Sequence, residues 1–164
     1  MSGGLYILLS NYRNQVYRKL KKRRMTRVLI IDDDTNTTDM LKLILEPAGF
    51  EVITVNSSDQ SINIIQQWTP DIIILDLVMP AMSGWEICGA VRKFSQVPIL
   101  VLSVLKDPAL VAKALDEGAD DVLIKPMRGD TLVARINTLA RRAHMDIDSS
   151  IPQAFSQESA GPLN

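Results

Sequence analysis

The chain has 164 residues, 18 Lys and Arg against 19 Asp and Glu, and a formal net charge of -1 at pH 7. That length suits one domain of ~120 residues with extra segments at its ends, and the near-neutral charge argues against global nucleic-acid binding. Cys88 is the only cysteine and His144 the only histidine. An internal disulfide, a histidine-rich metal site and a Ser-His-Asp triad in the middle of the fold are thereby excluded, and a reducing cytoplasm is the expected compartment.

Charge is unevenly spread. No Asp or Glu precedes Asp32, whereas Arg13, Arg18, Lys19, Lys21, Lys22, Arg23, Arg24 and Arg27 do. Residues 1–24 read as a basic extension, either solvated or a short amphipathic helix, since Leu5, Leu9, Tyr12, Val16 and Leu20 recur at helical spacing. Contact of this extension with an anionic membrane surface is left open. The Leu5 to Leu9 stretch is far short of the ~20 apolar residues a membrane span needs. It also precedes the basic residues, the reverse of a secretory signal.

From residue 25 to 142 strands and helices alternate. The apolar run Val28-Leu29-Ile30-Ile31 predicts a strand, followed by a helix over 36–47 that Pro47 and Gly49 close. A strand over 51–55 and a helix over 58–67 come next. Ile72-Ile73-Ile74-Leu75 predicts a strand running into a Pro- and Gly-containing loop, then a helix over 84–94. A strand over 98–102 and a helix over 107–117, ended by Gly118, precede a strand over 121–124 and a last helix over 129–142. Residues 143–164 read as a polar tail or a cut linker. The alternation implies a doubly wound parallel α/β sheet with right-handed crossovers. Strands that are apolar throughout are those covered on both faces.

The residues just past these strands carry the chemistry, because ligands of open α/β sheets bind at the C-terminal ends of the strands. Asp32 and Asp33 are adjacent carboxylates whose repulsion a cation would offset. Mg²⁺ suits such oxygen donors. Helix N-terminal capping is the competing reading, and Asp34 is the residue expected to cap. Asp76 offers a carboxylate oxygen able to attack phosphorus and form an acyl phosphate, or merely a loop cap. Ser103 can donate to a phosphoryl oxygen or simply satisfy backbone. Lys125 can pair with a carboxylate or phosphoryl group as a point charge, and Pro126 after it is compatible with a cis turn. Together the four strand ends point to a phosphoryl-handling site.

At these residues the chain resembles the receiver domain of two-component response regulators. The matching stretches are Val28 to Asp34, Pro70 to Pro80, Met82-Ser83-Gly84, Pro98 to Ser103 and Gly118 to Pro126. The resemblance implies a flavodoxin-like five-stranded sheet of order 2-1-3-4-5 with five helices. It also implies Asp76 as phosphoacceptor, and Mg²⁺ held by Asp33, Asp76 and the Val78 backbone carbonyl, with Asp32 acting partly through water. Ser103 becomes the hydroxyl that moves toward the phosphoryl group, and Lys125 the cation that binds it. A sensor histidine kinase or a histidine phosphotransfer protein is the implied donor.

Two positions depart from the family pattern. Val122 stands where the family usually has Tyr or Phe, and Val104 where it usually has a small residue, so Val104 is expected to narrow access to Asp76. The last helix resembles that of OmpR/PhoB-type regulators, which dimerise through the face spanning residues 107–142 here. Lys113, Asp120, Asp121, Val122 and Arg135 are the candidate signalling residues on that face. DNA binding is not expected of this chain itself. Three other readings compete: the receiver part of a longer DNA-binding regulator, an unphosphorylated docking module, and a haloacid-dehalogenase-like phosphatase. The last would use Asp32 as nucleophile and Asp34 as general acid. It leaves Asp76 without a role and lacks acidic ligands at Met127-Arg128-Gly129.

Overall fold

A computed structural model describes residues 25–149. The basic extension 1–24, with its open question of membrane contact, and most of the 143–164 tail lie outside those residues. In chain order the elements are β1 (Arg27–Ile31), α1 (Thr35–Leu45), β2 (Glu51–Val55), α2 (Ser58–Trp68), β3 (Ile72–Asp76) and α3 (Gly84–Arg92). They continue with β4 (Ile99–Ser103), α4 (Pro108–Asp116), β5 (Asp121–Ile124) and α5 (Gly129–Ser149). The five strands form one parallel sheet in the order β2-β1-β3-β4-β5, the order the family resemblance implies.

Alternate residues of each strand feed two cores. Val28, Ile30, Ile72, Ile74, Leu100 and Leu102 pack with Leu41 and Leu45 of α1 and with Leu132, Ile136 and Leu139 of α5. Leu29, Ile31, Ile73, Leu75, Ile99 and Val101 face the other way, onto Ile65 of α2, Ile87, Cys88 and Val91 of α3, and Ala114 of α4. Burial on both faces is why these strands are apolar at every position rather than at every second one.

Helix boundaries differ from the sequence expectation for local reasons. Asp34 caps α1, accepting from the Asn36 N–H, and α1 ends at Leu45 because Glu46 takes the C-cap position ahead of Pro47. Ser83 and Glu86 form a reciprocal capping box at the start of α3. Asp107 caps α4 with Pro108 at its first turn. Past α4 the chain reverses at Gly118, whose φ of 111° favours glycine. The last helix continues to Ser149 rather than stopping at 142, since no Gly or Pro interrupts the sequence until Pro152.

Candidate phosphoryl-transfer site

Strand register brings the candidate residues to one rim. Ile31 lies beside Leu75, Asp76 beside Leu102 and Ser103 beside Ile124. Asp32, Asp76, Ser103 and Lys125 therefore emerge at one level at the C-terminal edge. The Lys125 N–H donates to the Ser103 carbonyl (2.8 Å), tying the last two together. The Lys125–Pro126 peptide is cis.

Asp32 is buried, with 3% of its surface exposed. Its Oδ1 accepts from the Asp34 N–H (2.9 Å) and its Oδ2 from Lys125 Nζ (2.9 Å). Asp33 is exposed and Asp76 half-buried. Each of the three offers one carboxylate oxygen, and these oxygens lie within 4.8 Å of one another. Crowding of this sort is costly without a counter-charge, and one lysine supplies only part of it. A donor set made solely of carboxylate oxygens, open on the Asp33 side, fits a hard divalent ion such as Mg²⁺ that keeps several of its waters.

The Asp76 carboxyl titrates above its ordinary value of 3.8. Burial is the main cause and the Asp32 charge adds to it, while Lys125 and the backbone N–H groups of Val78 and Leu77 pull the other way. Close packing holds the Asp76 backbone in place. A Cβ on Gly84 would overlap the Asp76 carbonyl oxygen and stand 2.7 Å from the Leu77 Cα, and the Gly84 N–H donates to the Leu77 carbonyl (3.0 Å). Only glycine permits this approach.

Ser103 is fully buried, and its Oγ accepts from the Leu105 N–H (3.0 Å), which leaves its own proton to donate. Val104 is 61% exposed and, with Thr37, Met40, Lys125, Pro126 and Met127, lines a shallow groove beside the site. Val122 is half-buried against the core that contains α2, α3 and α4. The Val78 side chain is exposed, in the connection that joins β3 to α3.

The candidate signalling residues lie on or beside α4, β5 and α5 and engage different partners. Arg135 Nη1 donates to Asp121 Oδ2 (3.0 Å) across β5 and α5. Lys113 lies over the Trp85 ring, 5.0 Å from its centroid. Asp120 sits at the opposite, N-terminal edge of the sheet. There it accepts from Arg92 Nη2 (2.8 Å) and from the Ile99 N–H (2.7 Å). Asp120 precedes a strand, so its position in the sequence already placed it at that edge. Two site-supporting residues were not singled out in the sequence, Asn56 and Ser58, because a polar residue after a strand looks like any loop residue.

A doubly wound parallel sheet with three carboxylates and a lysine at the C-terminal ends of its strands defines an open α/β domain with its ligand crevice at that edge. The family model for the response regulator receiver domain matches residues 28–137, and the chain belongs to that family. It is similar to the DNA-binding response regulator MtrA of Mycobacterium leprae, with 34% identity over 135 residues, covering 77% of this chain and 60% of that protein. It is likewise similar to the transcriptional regulatory protein AfsQ1 of Streptomyces coelicolor, 34% identical over 126 residues, or 77% of this chain and 56% of that one. The chain thus spans a little over half the length of these relatives. Among solved structures, a two-component response regulator from Clostridium difficile superposes with a TM-score of 0.69 at 30% identity, over 72% of this chain and 98% of that one. Among the described residues no helix is long and apolar enough to cross a membrane.

Proposed function

We propose that this receiver domain takes a phosphoryl group onto Asp76 from a phosphohistidine of a sensor kinase or phosphotransfer protein in the cytoplasm. The observation that carries the reading is the meeting of the Asp32, Asp33 and Asp76 oxygens within 4.8 Å, beside Lys125. Asp33, Asp76 and the Val78 carbonyl are the groups that would hold Mg²⁺, with Asp32 helping through water. When bound, the ion supplies neutralisation of the negative charge that gathers during transfer.

The chain's own groups do the rest. An Asp76 carboxylate oxygen forms a bond to phosphorus as the bond from phosphorus to the donor imidazole nitrogen breaks, giving an acyl phosphate. Lys125 Nζ, now on Asp32, can pair with a phosphoryl oxygen as a mobile point charge. Ser103 Oγ carries a proton that can be donated to another phosphoryl oxygen. The α4, β5 and α5 face, with Lys113, Asp121, Val122 and Arg135, is proposed as the surface that passes the change on, including by contact with a second copy. MtrA is named as DNA-binding, and a DNA-directed output for a longer form of this chain belongs to the same proposal.

The test is intact mass after incubation with acetyl phosphate and Mg²⁺. One added phosphoryl group is expected in the wild type and none in Asp76→Asn or in EDTA. A wild type that gains nothing, and that also fails to bind beryllofluoride, would instead make this domain an unphosphorylated docking module.

A further inference from the structure

The connection between β2 and α2 reaches both loops that carry the acidic groups. Asn56 Nδ2 donates to the Asp32 backbone carbonyl (2.7 Å) and to Thr38 Oγ1 (3.1 Å). Thr38 is buried and donates in turn to the Thr35 carbonyl (3.0 Å). The Asp32 N–H donates to the Val55 carbonyl (3.2 Å), so the peptide groups on both sides of the Asp32 Cα are held from β2 and the residue after it.

Ser58 performs the matching task on the other loop. It is the first residue of α2, where a hydroxyl commonly serves its own helix, and Ser57 before it makes no side-chain cap. Ser58 Oγ instead donates to the Pro80 carbonyl (3.0 Å) and accepts from the Met82 N–H (3.2 Å), which the Pro80 carbonyl also accepts (2.9 Å). Between those two residues Ala81 has a φ of 66°, a left-handed conformation that L-residues adopt with strain. The hydroxyl thus clamps a strained reverse turn whose other end closes through the Gly84 N–H on the Leu77 carbonyl. Between the two clamps lies Val78. Ser58 is buried, with 6% of its surface exposed, so water does not readily replace it.

We propose that Asn56 and Ser58 are positioning residues for the metal-binding oxygens: Asn56 sets the Asp32 backbone, and Ser58 sets the loop that presents the Val78 carbonyl. The inference rests on the reading of Asp76 as a Mg²⁺-dependent phosphoacceptor. Neither residue touches the ion or the phosphoryl group. Groups that orient ligands from behind govern how tightly a metal is held.

The experiment is Mg²⁺ titration by calorimetry, without phosphodonor, on the wild type, Asn56→Ala and Ser58→Ala, with Ser58→Thr to retain the hydroxyl. Each alanine variant is expected to weaken Mg²⁺ binding about tenfold, with Ser58→Thr nearer to the wild type. In phosphorylation by acetyl phosphate, the Mg²⁺ concentration for half-maximal rate rises by the same factor, while the rate at saturating Mg²⁺ changes less. Amide exchange separates the two clamps: exchange across residues 80–84 quickens in Ser58→Ala, where the Met82 N–H keeps only the Pro80 carbonyl, and is unchanged in Asn56→Ala. Alanine variants that lose thermal stability yet bind Mg²⁺ as the wild type does would overturn the inference and leave both residues a packing role. A wild type that binds no Mg²⁺ overturns the site reading itself.

Discussion

The two edges of the sheet handle charge in opposite ways. At the N-terminal edge the guanidinium of Arg92 donates to the carbonyls of Gly118 (2.9 Å), Ser95 (3.2 Å) and Val97 (2.8 Å) and to Asp120 (2.8 Å). Arg27 stacks 4.2 Å from the Trp68 ring centroid while its own N–H donates to Asp71 (2.8 Å). Cations there are spent on carbonyls, rings and carboxylates that the fold itself provides. At the C-terminal edge three carboxylates converge and one lysine answers them. A fold built only for stability would not leave that imbalance, because replacing a crowded carboxylate removes repulsion at no loss of packing. One edge fastens the domain and the other gathers negative charge that the fold only partly offsets.

Three substitutions sharpen that contrast. The largest effect is expected from Gly84→Ala, because the added methyl meets backbone rather than a side chain that can swing away. A loss of about 3 kcal/mol in urea denaturation is expected, at the upper end for overpacking. Phosphorylation of Asp76 should fall with it, since the Asp76 carbonyl must move. Arg92→Ala should cost about 2 kcal/mol through the loss of several hydrogen bonds to carbonyls and a carboxylate. Acetyl phosphate should still label this variant at the wild-type rate, because the damage is confined to the far edge.

The smallest effect has the opposite sign. In the absence of metal, Asp76→Asn should stabilise the fold at neutral pH by under about 1 kcal/mol, solvent screening being considerable. Burial raises the Asp76 carboxyl above 3.8, so the folded chain binds that proton more tightly than the unfolded one. The wild type then gains stability as pH falls through the raised value, and the asparagine variant does not. Thermal melts in EDTA should show the advantage of the variant shrinking on acidification. An advantage that grows on acidification would mean the Asp76 charge is favourable in the fold, and the contrast between the edges would be lost.

The sheet was legible from the sequence because its cause is local. Val28 to Ile31, Ile72 to Leu75 and Ile99 to Leu102 are apolar at consecutive positions, which only two-sided burial explains. The rim residues were legible for the same reason: a polar residue after such a run must emerge at the edge. What the sequence hid is relational. Asn56 and Ser58 look like generic loop polar residues, and their partners Asp32, Pro80 and Met82 lie 22 or more positions away. Asp120 reads as part of an exposed charged surface, yet the Ile99 N–H and the Arg92 fork need it. Helix ends moved by a few residues wherever a cap competed with a periodic pattern. Glu46 and Lys93 both occupy C-cap positions inside the helices expected from spacing alone.

Fastening is also uneven from side to side. Helix α4 buries only Ala114, and Leu115 near its end is 45% exposed. Strand β5 beside it is four residues long, with Leu123 as its one buried position. This corner joins the rim directly, through residue 104 after Ser103 and through Lys125 itself. Little apolar area would be uncovered if it tilted or slid, so its local opening free energy lies far below that of the central strands. The inner strands, buried on both faces, can keep their packing while this corner opens.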